Sequence, residues 1–248
     1  MKNKNHRPWS LNQNKEIQKT INKFNDTDKK VIKTLQKKKI IFKNDSVLAR
    51  FTKTLDREFS WLKKIKIDEF PVIFDVGSNI GINTICYKIL FKKSKIYSFE
   101  PIPRTIRIFK KNIKLNKLKN IKSYNVGFSD KKKESFLSIP TKEQGERYKY
   151  YVNHALYSIY GKSKNKIKVK LDTVDNFTKK NYFKKIDFIK IDVEGHEQKV
   201  LEGSLKMLEN NQPNLLIGIY PQQLEVVLRI HLHHLHRCRK QFCLLHQN

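Results

Sequence analysis

Between residues 71 and 220, short apolar runs rich in β-branched residues alternate with stretches long enough for a helix. This alternation limits the fold more than any other feature, because it matches repeated βα units, in which consecutive parallel strands need a crossover that a helix fills. The pattern predicts strands over 72–74, 95–99, 121–126, 188–191 and 215–219. It predicts helices over 83–91, 104–115, near 173–182 and over 197–208. Segments 134–139 and 167–171 read as extra strands flanking a tyrosine-rich loop at 141–165, a candidate substrate lid. Five core strands with helical crossovers define an α/β protein built on a parallel sheet.

The flanking segments differ from this central domain, 71–220. Residues 1–70 are polar and lysine-heavy, with apolar positions that suggest short amphipathic helices in an accessory extension. The best of these is 46–66, where Val47, Leu48, Phe51, Leu55, Phe59 and Leu62 recur at three- and four-residue steps. Residues 221–248 form an atypical tail with His231, His233, His234, His236, His246, Cys238 and Cys243, and lysine only at Lys240. The histidines have no established ligand spacing, so no metal site is assigned. A shift of reading frame accounts for the abrupt change in composition, and translation of the other frames of the gene would test it.

The net charge of +30 invites a nucleic-acid reading, but the excess is spread along the chain. Lysines outnumber arginines 44 to 9, and asparagine occurs 21 times, which resembles a coding bias as much as selection for phosphate contacts. No run approaches the roughly 18 apolar residues of a membrane-spanning helix, and the first residues offer no secretory apolar stretch. Cytoplasmic residence is the expectation. Cys86, Cys238 and Cys243 are too few and scattered for a disulfide framework.

Carboxylates are scarce, so their positions carry information. Asp75, Glu100, Asp130, Asp192 and Glu194 all fall at or just after the ends of predicted strands, the edge where open α/β sheets bind ligands. They predict an acidic crevice suited to a ligand with positive charge. The first strand runs into Asp75-Val76-Gly77-Ser78-Asn79-Ile80-Gly81, a tight glycine turn of nucleotide-binding type. Glu100, at the end of the next strand, is placed to accept from ribose hydroxyls. A dinucleotide fold wants a second glycine where Asn79 stands, so NAD is disfavoured. S-adenosylmethionine has the ribose without phosphates and brings an ammonium and a sulfonium.

The segment over 71–220 resembles the FkbM-type S-adenosylmethionine-dependent methyltransferases. The resemblance rests on Phe74-Asp75-Val76-Gly77-Ser78-Asn79-Ile80-Gly81, Tyr97-Ser98-Phe99-Glu100-Pro101, Asn112-Ile113-Lys114-Leu115-Asn116, and Val126-Gly127-Phe128-Ser129-Asp130. Most specific is Ile189-Lys190-Ile191-Asp192-Val193-Glu194-Gly195-His196-Glu197, followed by Val200-Leu201-Glu202-Gly203. The resemblance implies a class I methyltransferase sheet and methyl transfer to a hydroxyl of a sugar, glycan or small molecule. It implies cofactor binding by Asp75, Gly77, Ser78, Asn79, Gly81 and Glu100, with Ser129 and Asp130 near the adenine. Asp192, Glu194 and His196 are the catalytic candidates. The family usually has an acidic residue where Gly218 stands here, and then a closing pair of strands. Because the tail lacks such elements by pattern, an open sheet edge after 219 is expected.

Two other functions compete. One is methylation of RNA, with lysines on phosphate and the tyrosine loop on a base. The other is a non-catalytic protein that binds cofactor or a partner without turnover.

Overall fold

The computed structural model describes residues 61–62, 65–138, 166–219 and 225, together with the backbone of the short strands at 9–10, 41–42 and 242–246. Most of the expected helix at 46–66, the tyrosine-rich loop and most of the tail lie outside the described residues. Elements run in chain order as β1 (Trp9–Ser10), β2 (Ile41–Phe42), β3 (Val72–Val76), α1 (Ile82–Leu90), β4 (Lys95–Phe99), α2 (Pro103–Leu115) and β5 (Ile121–Tyr124). Then come β6 (Gly127–Phe128), β7 (Lys133–Ser138), β8 (Lys166–Asp172), α3 (Val174–Lys180), β9 (Phe188–Ile191), α4 (Glu197–Glu202), α5 (Leu205–Asn211), β10 (Asn214–Ile219) and β11 (Phe242–His246).

Six strands pair in the order β11-β10-β9-β3-β4-β5, and every pairing is parallel. With β3 central and the chain reversing direction of travel there, the architecture is the Rossmann-like sheet of class I methyltransferases. A second sheet, β6-β8-β7, branches off beyond β5. Among the described residues no helix is long and apolar enough to cross a membrane.

Both faces of the main sheet are covered, which explains why its strands read as continuous apolar runs. Side chains alternate along each strand. Ile73, Ile96, Phe188 and Leu216 join α1 residues Ile82, Ile85, Cys86, Tyr87 and Ile89 in one core layer, with Leu62 and Ile65 packed on it. Phe74, Val76, Phe99, Ile189, Ile191, Leu215 and Ile217 meet Phe177 of α3, Val200 and Leu201 of α4 and Met207 and Leu208 of α5 in the other. On the α1 side the apolar row gives way near the strand ends to polar residues. Asp75 lies in register with Ser98 on one neighbour and Lys190 on the other, and all three are buried.

Two expectations are corrected. The edge after β10 is not open, because Leu215–Ile219 pair in parallel with Phe242–His246 from the histidine-containing tail. Gly218 thus lies opposite Leu245 inside a paired strand, and of the closing pair that the resemblance implies, one strand stands among the described residues. The single helix expected over 197–208 is two helices broken at Gly203 and Ser204. A Cβ at Gly203 would come within 2.0 Å of the Ser129 carbonyl oxygen, so the chain turns where it meets β6.

Candidate active site at the strand ends

The turn from β3 into α1 is shaped by contacts that only glycine permits. Gly77 takes φ 76, and a Cβ there would fall 1.9 Å from the carbonyl oxygen of Asp192. Gly81 takes φ 93, with the Phe109 ring of α2 2.8 Å from its missing Cβ. The Gly77 and Ser78 N–H groups both donate to the Phe99 carbonyl at 3.0 Å. Asn79 holds φ 50, within reach of asparagine because its own Oδ1 accepts from the Ile80 N–H at 2.8 Å. The Asn112 amide donates to the Ile80 carbonyl at 2.8 Å and pins the turn from α2.

Glu100 stands one residue beyond β4 and ties two turns together. Its Oε2 accepts from the Asn79 N–H at 3.1 Å and its Oε1 from the Ile102 N–H at 2.9 Å. Burial pushes its carboxyl up to about 7, against the opposing effect of those two bonds. Each oxygen retains a second acceptor position for a ligand hydroxyl.

Asp75 is buried beneath the turn. Its Oδ2 accepts from the Thr84 hydroxyl, which also bonds Ser98 at 2.8 Å. Its Oδ1 has no hydrogen-bond partner among the described residues and lies 3.8 Å from Lys190 Nζ. Burial raises the Asp75 carboxyl above its ordinary range, and Lys190 opposes that shift. Lys190 also lies 3.1 Å from Asp192 Oδ2, and the Asp192 side chain is 29% exposed. Of the five expected carboxylates, Asp75, Glu100 and Asp192 thus share one strand edge, with a buried cation between two of them.

Beyond β9 the chain is held by Glu197, which is buried and whose carboxylate accepts from the Val193 N–H at 2.8 Å and the Gly195 N–H at 3.1 Å. Glu194, at φ 56, sits on the half-buried turn so formed. His196 is buried, and its Nε2 lies 2.9 Å from Ser129 Oγ, which donates to Asp130 Oδ1 at 2.8 Å. Because that hydroxyl hydrogen goes to Asp130, the His196 Nε2 carries a hydrogen and donates to Ser129. Burial, with Lys133 and Lys199 nearby, pushes His196 down to about 4, so the ring is neutral at pH 7. The Ser129 hydrogen bond leads in holding Asp130 down to about 2. Ser129 and Asp130 follow β6 of the small sheet, not a strand of the main one.

The structure thus brings Asp75, Gly77, Ser78, Asn79, Gly81, Glu100 and Asp192 to adjacent ends of β3, β4 and β9, and Ser129, Asp130 and His196 into a second cluster. Sequence reasoning gave no role to Lys190, Thr84 and Ser98. A lysine in the middle of the buried run Phe188-Ile189-Lys190-Ile191 was the available signal.

The profile of the methyltransferase FkbM domain matches residues 75–241, well over half of the chain and all of the strand ends above. The chain belongs to the FkbM methyltransferase domain family. Among curated proteins it is 27% identical over 179 residues to "Methyltransferase 1" of Beauveria bassiana, covering 64% of this chain and 71% of that protein. It is also 27% identical over 159 residues to "Methyltransferase sdnD" of Sordaria araneosa, covering 54% and 60%. The solved methyltransferase FkbM of Methylobacillus flagellatus aligns with a TM-score of 0.49 at 15% identity, over 87% of this chain and 51% of that one. The chain thus spans about half the length of that FkbM structure.

Proposed function

We propose that the protein transfers a methyl group from S-adenosylmethionine to a hydroxyl of a sugar, glycan or small-molecule acceptor. The observation that carries this reading is the meeting of the glycine turn, Glu100 and the paired carboxylates Asp75 and Asp192 at one edge, within a domain of the FkbM family. The residues fit the cofactor: acceptor groups predominate, the buried Asp75 Oδ1 lacks a hydrogen-bond partner among the described residues, and Asn79 replaces the glycine that a pyrophosphate needs.

S-adenosylmethionine supplies a methyl group on a positively charged sulfur. Glu100 would hold the ribose hydroxyls, and the turn 77–81 would supply the wall against which the nucleoside rests. Ser129 and Asp130 are the residues assigned to the adenine. Asp192 is the best-placed proton acceptor, since it is partly exposed at the strand edge and held by Lys190. With the cofactor bound, Asp192 would take the proton of the acceptor hydroxyl as that oxygen displaces the neutral thioether sulfur from the methyl carbon. Alignment of that oxygen is the main contribution of the protein. Glu194 stands on the turn after β9, two residues beyond Asp192, whereas His196, neutral and bonded to Ser129, supports that turn.

A second reading, an RNA acceptor, has one observation in its favour. Lys166, Lys168 and Lys170 are exposed on one face of β8, and Phe136, 54% exposed, lies opposite Lys168. An ion pair between Lys168 and Glu134 interrupts this stripe. Radiolabelled S-adenosylmethionine incubated with sugars, glycans, small alcohols and RNA separates the readings. Label in the hydroxyl compounds is expected, label in RNA alone reverses the assignment, and binding with no transfer to any of them points to a non-catalytic protein.

A further inference from the structure

Lys190 is 3% exposed and sits in a strand whose other residues are all buried and apolar. Burying an ammonium costs several kcal/mol unless it is paired, so its position calls for an explanation beyond packing. The register supplies one. Asp75 on β3 faces Lys190 on β9, and Asp192 follows two residues later on the same strand, so one Nζ bridges two carboxylates at 3.8 and 3.1 Å. Other groups near this bridge, among the described residues, include the Thr84 hydroxyl from α1, the Ser98 hydroxyl from β4, the Glu100 carboxyl just beyond β4 and the Glu197 carboxyl at the start of α4. Asp75 is wholly buried and Asp192 is partly exposed, so the two partners differ in what they present to a ligand.

We propose that Lys190 is the charge-setting residue of the crevice: bridging Asp75 and Asp192, it cancels one of their two charges and leaves the group a single net negative charge for a ligand to meet at the exposed Asp192. It thereby fixes how strongly a cationic methyl donor is preferred over its neutral demethylated product. This rests on the cofactor assignment above. Two uncompensated carboxylates would favour the cation and hold back exchange. One cancelled carboxylate leaves a preference that permits turnover. In this role Lys190 determines specificity between donor and product and takes no part in the chemical step.

Calorimetric binding of S-adenosylmethionine and S-adenosylhomocysteine tests it without an acceptor. Asp75→Asn leaves the lysine uncompensated and is expected to lower the ratio of the two affinities, donor over product, at least about fivefold. Adding Lys190→Met in that background removes both charges and restores the wild-type ratio. A purely packing role for Lys190 would change both affinities together and leave their ratio alone. An unchanged ratio in Asp75→Asn, or no restoration in the double variant, overturns the proposal. Lys190→Gln replaces Lys190→Met if the latter does not fold, with the same outcomes. If the wild type binds neither ligand, the cofactor assignment fails and carries the proposal with it, a result distinct from binding with an unaltered ratio.

Discussion

Gly77 combines a positive φ with a backbone carbonyl 1.9 Å from where a Cβ would stand, so no side-chain rotation relieves Gly77→Ala. That substitution is expected to cost about 2–4 kcal/mol of stability and to abolish cofactor binding, measured by urea unfolding and calorimetry. Glu100 carries a pH dependence of defined sign. Its folded value of about 7 lies above the ordinary 4.5, so its contribution to stability is fully present below about 4.5 and is lost as pH rises through about 7. Wild type should therefore lose stability relative to Glu100→Gln across that window, read from urea midpoints at successive pH values. Hydroxyl donors from a ribose favour the ionised carboxylate, so S-adenosylmethionine binding near pH 7 should release protons, which titrations in buffers of different ionisation heat detect. Asp130 behaves in the opposite way. Its depressed value makes its contribution present above 3.8 and lost only as pH falls through about 2. Ser129→Ala removes the largest cause and should move the Asp130 titration upward by carbon NMR.

At the level of elements, α2 fastens the glycine turn through Asn112 on the Ile80 carbonyl and Phe109 against Gly81. Asn112→Ala should weaken S-adenosylmethionine binding about three- to tenfold while costing about 1–3 kcal/mol of stability, because the Ile80 carbonyl loses its partner. Calorimetry and thermal unfolding give the two values. This role shows the reach of the sequence pattern. The motif contains Asn112 but not its partner; the contact is 32 residues away and depends on how α2 crosses the turn. The strands over 95–99 and 188–191 were readable to the residue, because burial on both faces leaves short apolar stretches interrupted only by Ser98 and Lys190, both drawn to the site. The break between α4 and α5 was not, since the neighbour that demands glycine at 203, the Ser129 carbonyl just after β6, is distant in the sequence. Similarly, Glu197 ends the motif that carries Asp192 and Glu194, yet its carboxylate accepts from the amides of 193 and 195. Which carboxylate faces ligand and which holds backbone is decided in three dimensions.

For the whole molecule, β11 covers an edge that composition predicted to be bare. Parallel pairing across a long connection leaves little signal in a five-residue strand, particularly in a segment whose composition departs from the rest of the chain. Removing residues 242–248 uncovers the main-chain groups of Leu215–Ile219 that pair with it. The shortened protein is expected to melt several degrees lower and to self-associate, as scanning calorimetry and light scattering would show.

The contact between Gly77 and the Asp192 carbonyl has a consequence for how such a domain diversifies. The turn proposed as donor wall and the strand end proposed to carry the proton acceptor are registered against each other by backbone, with no room for an intervening side chain to absorb slack. A change of acceptor is therefore expected to require remodelling of outlying loops, while the spacing between these two groups stays clamped by the backbone itself.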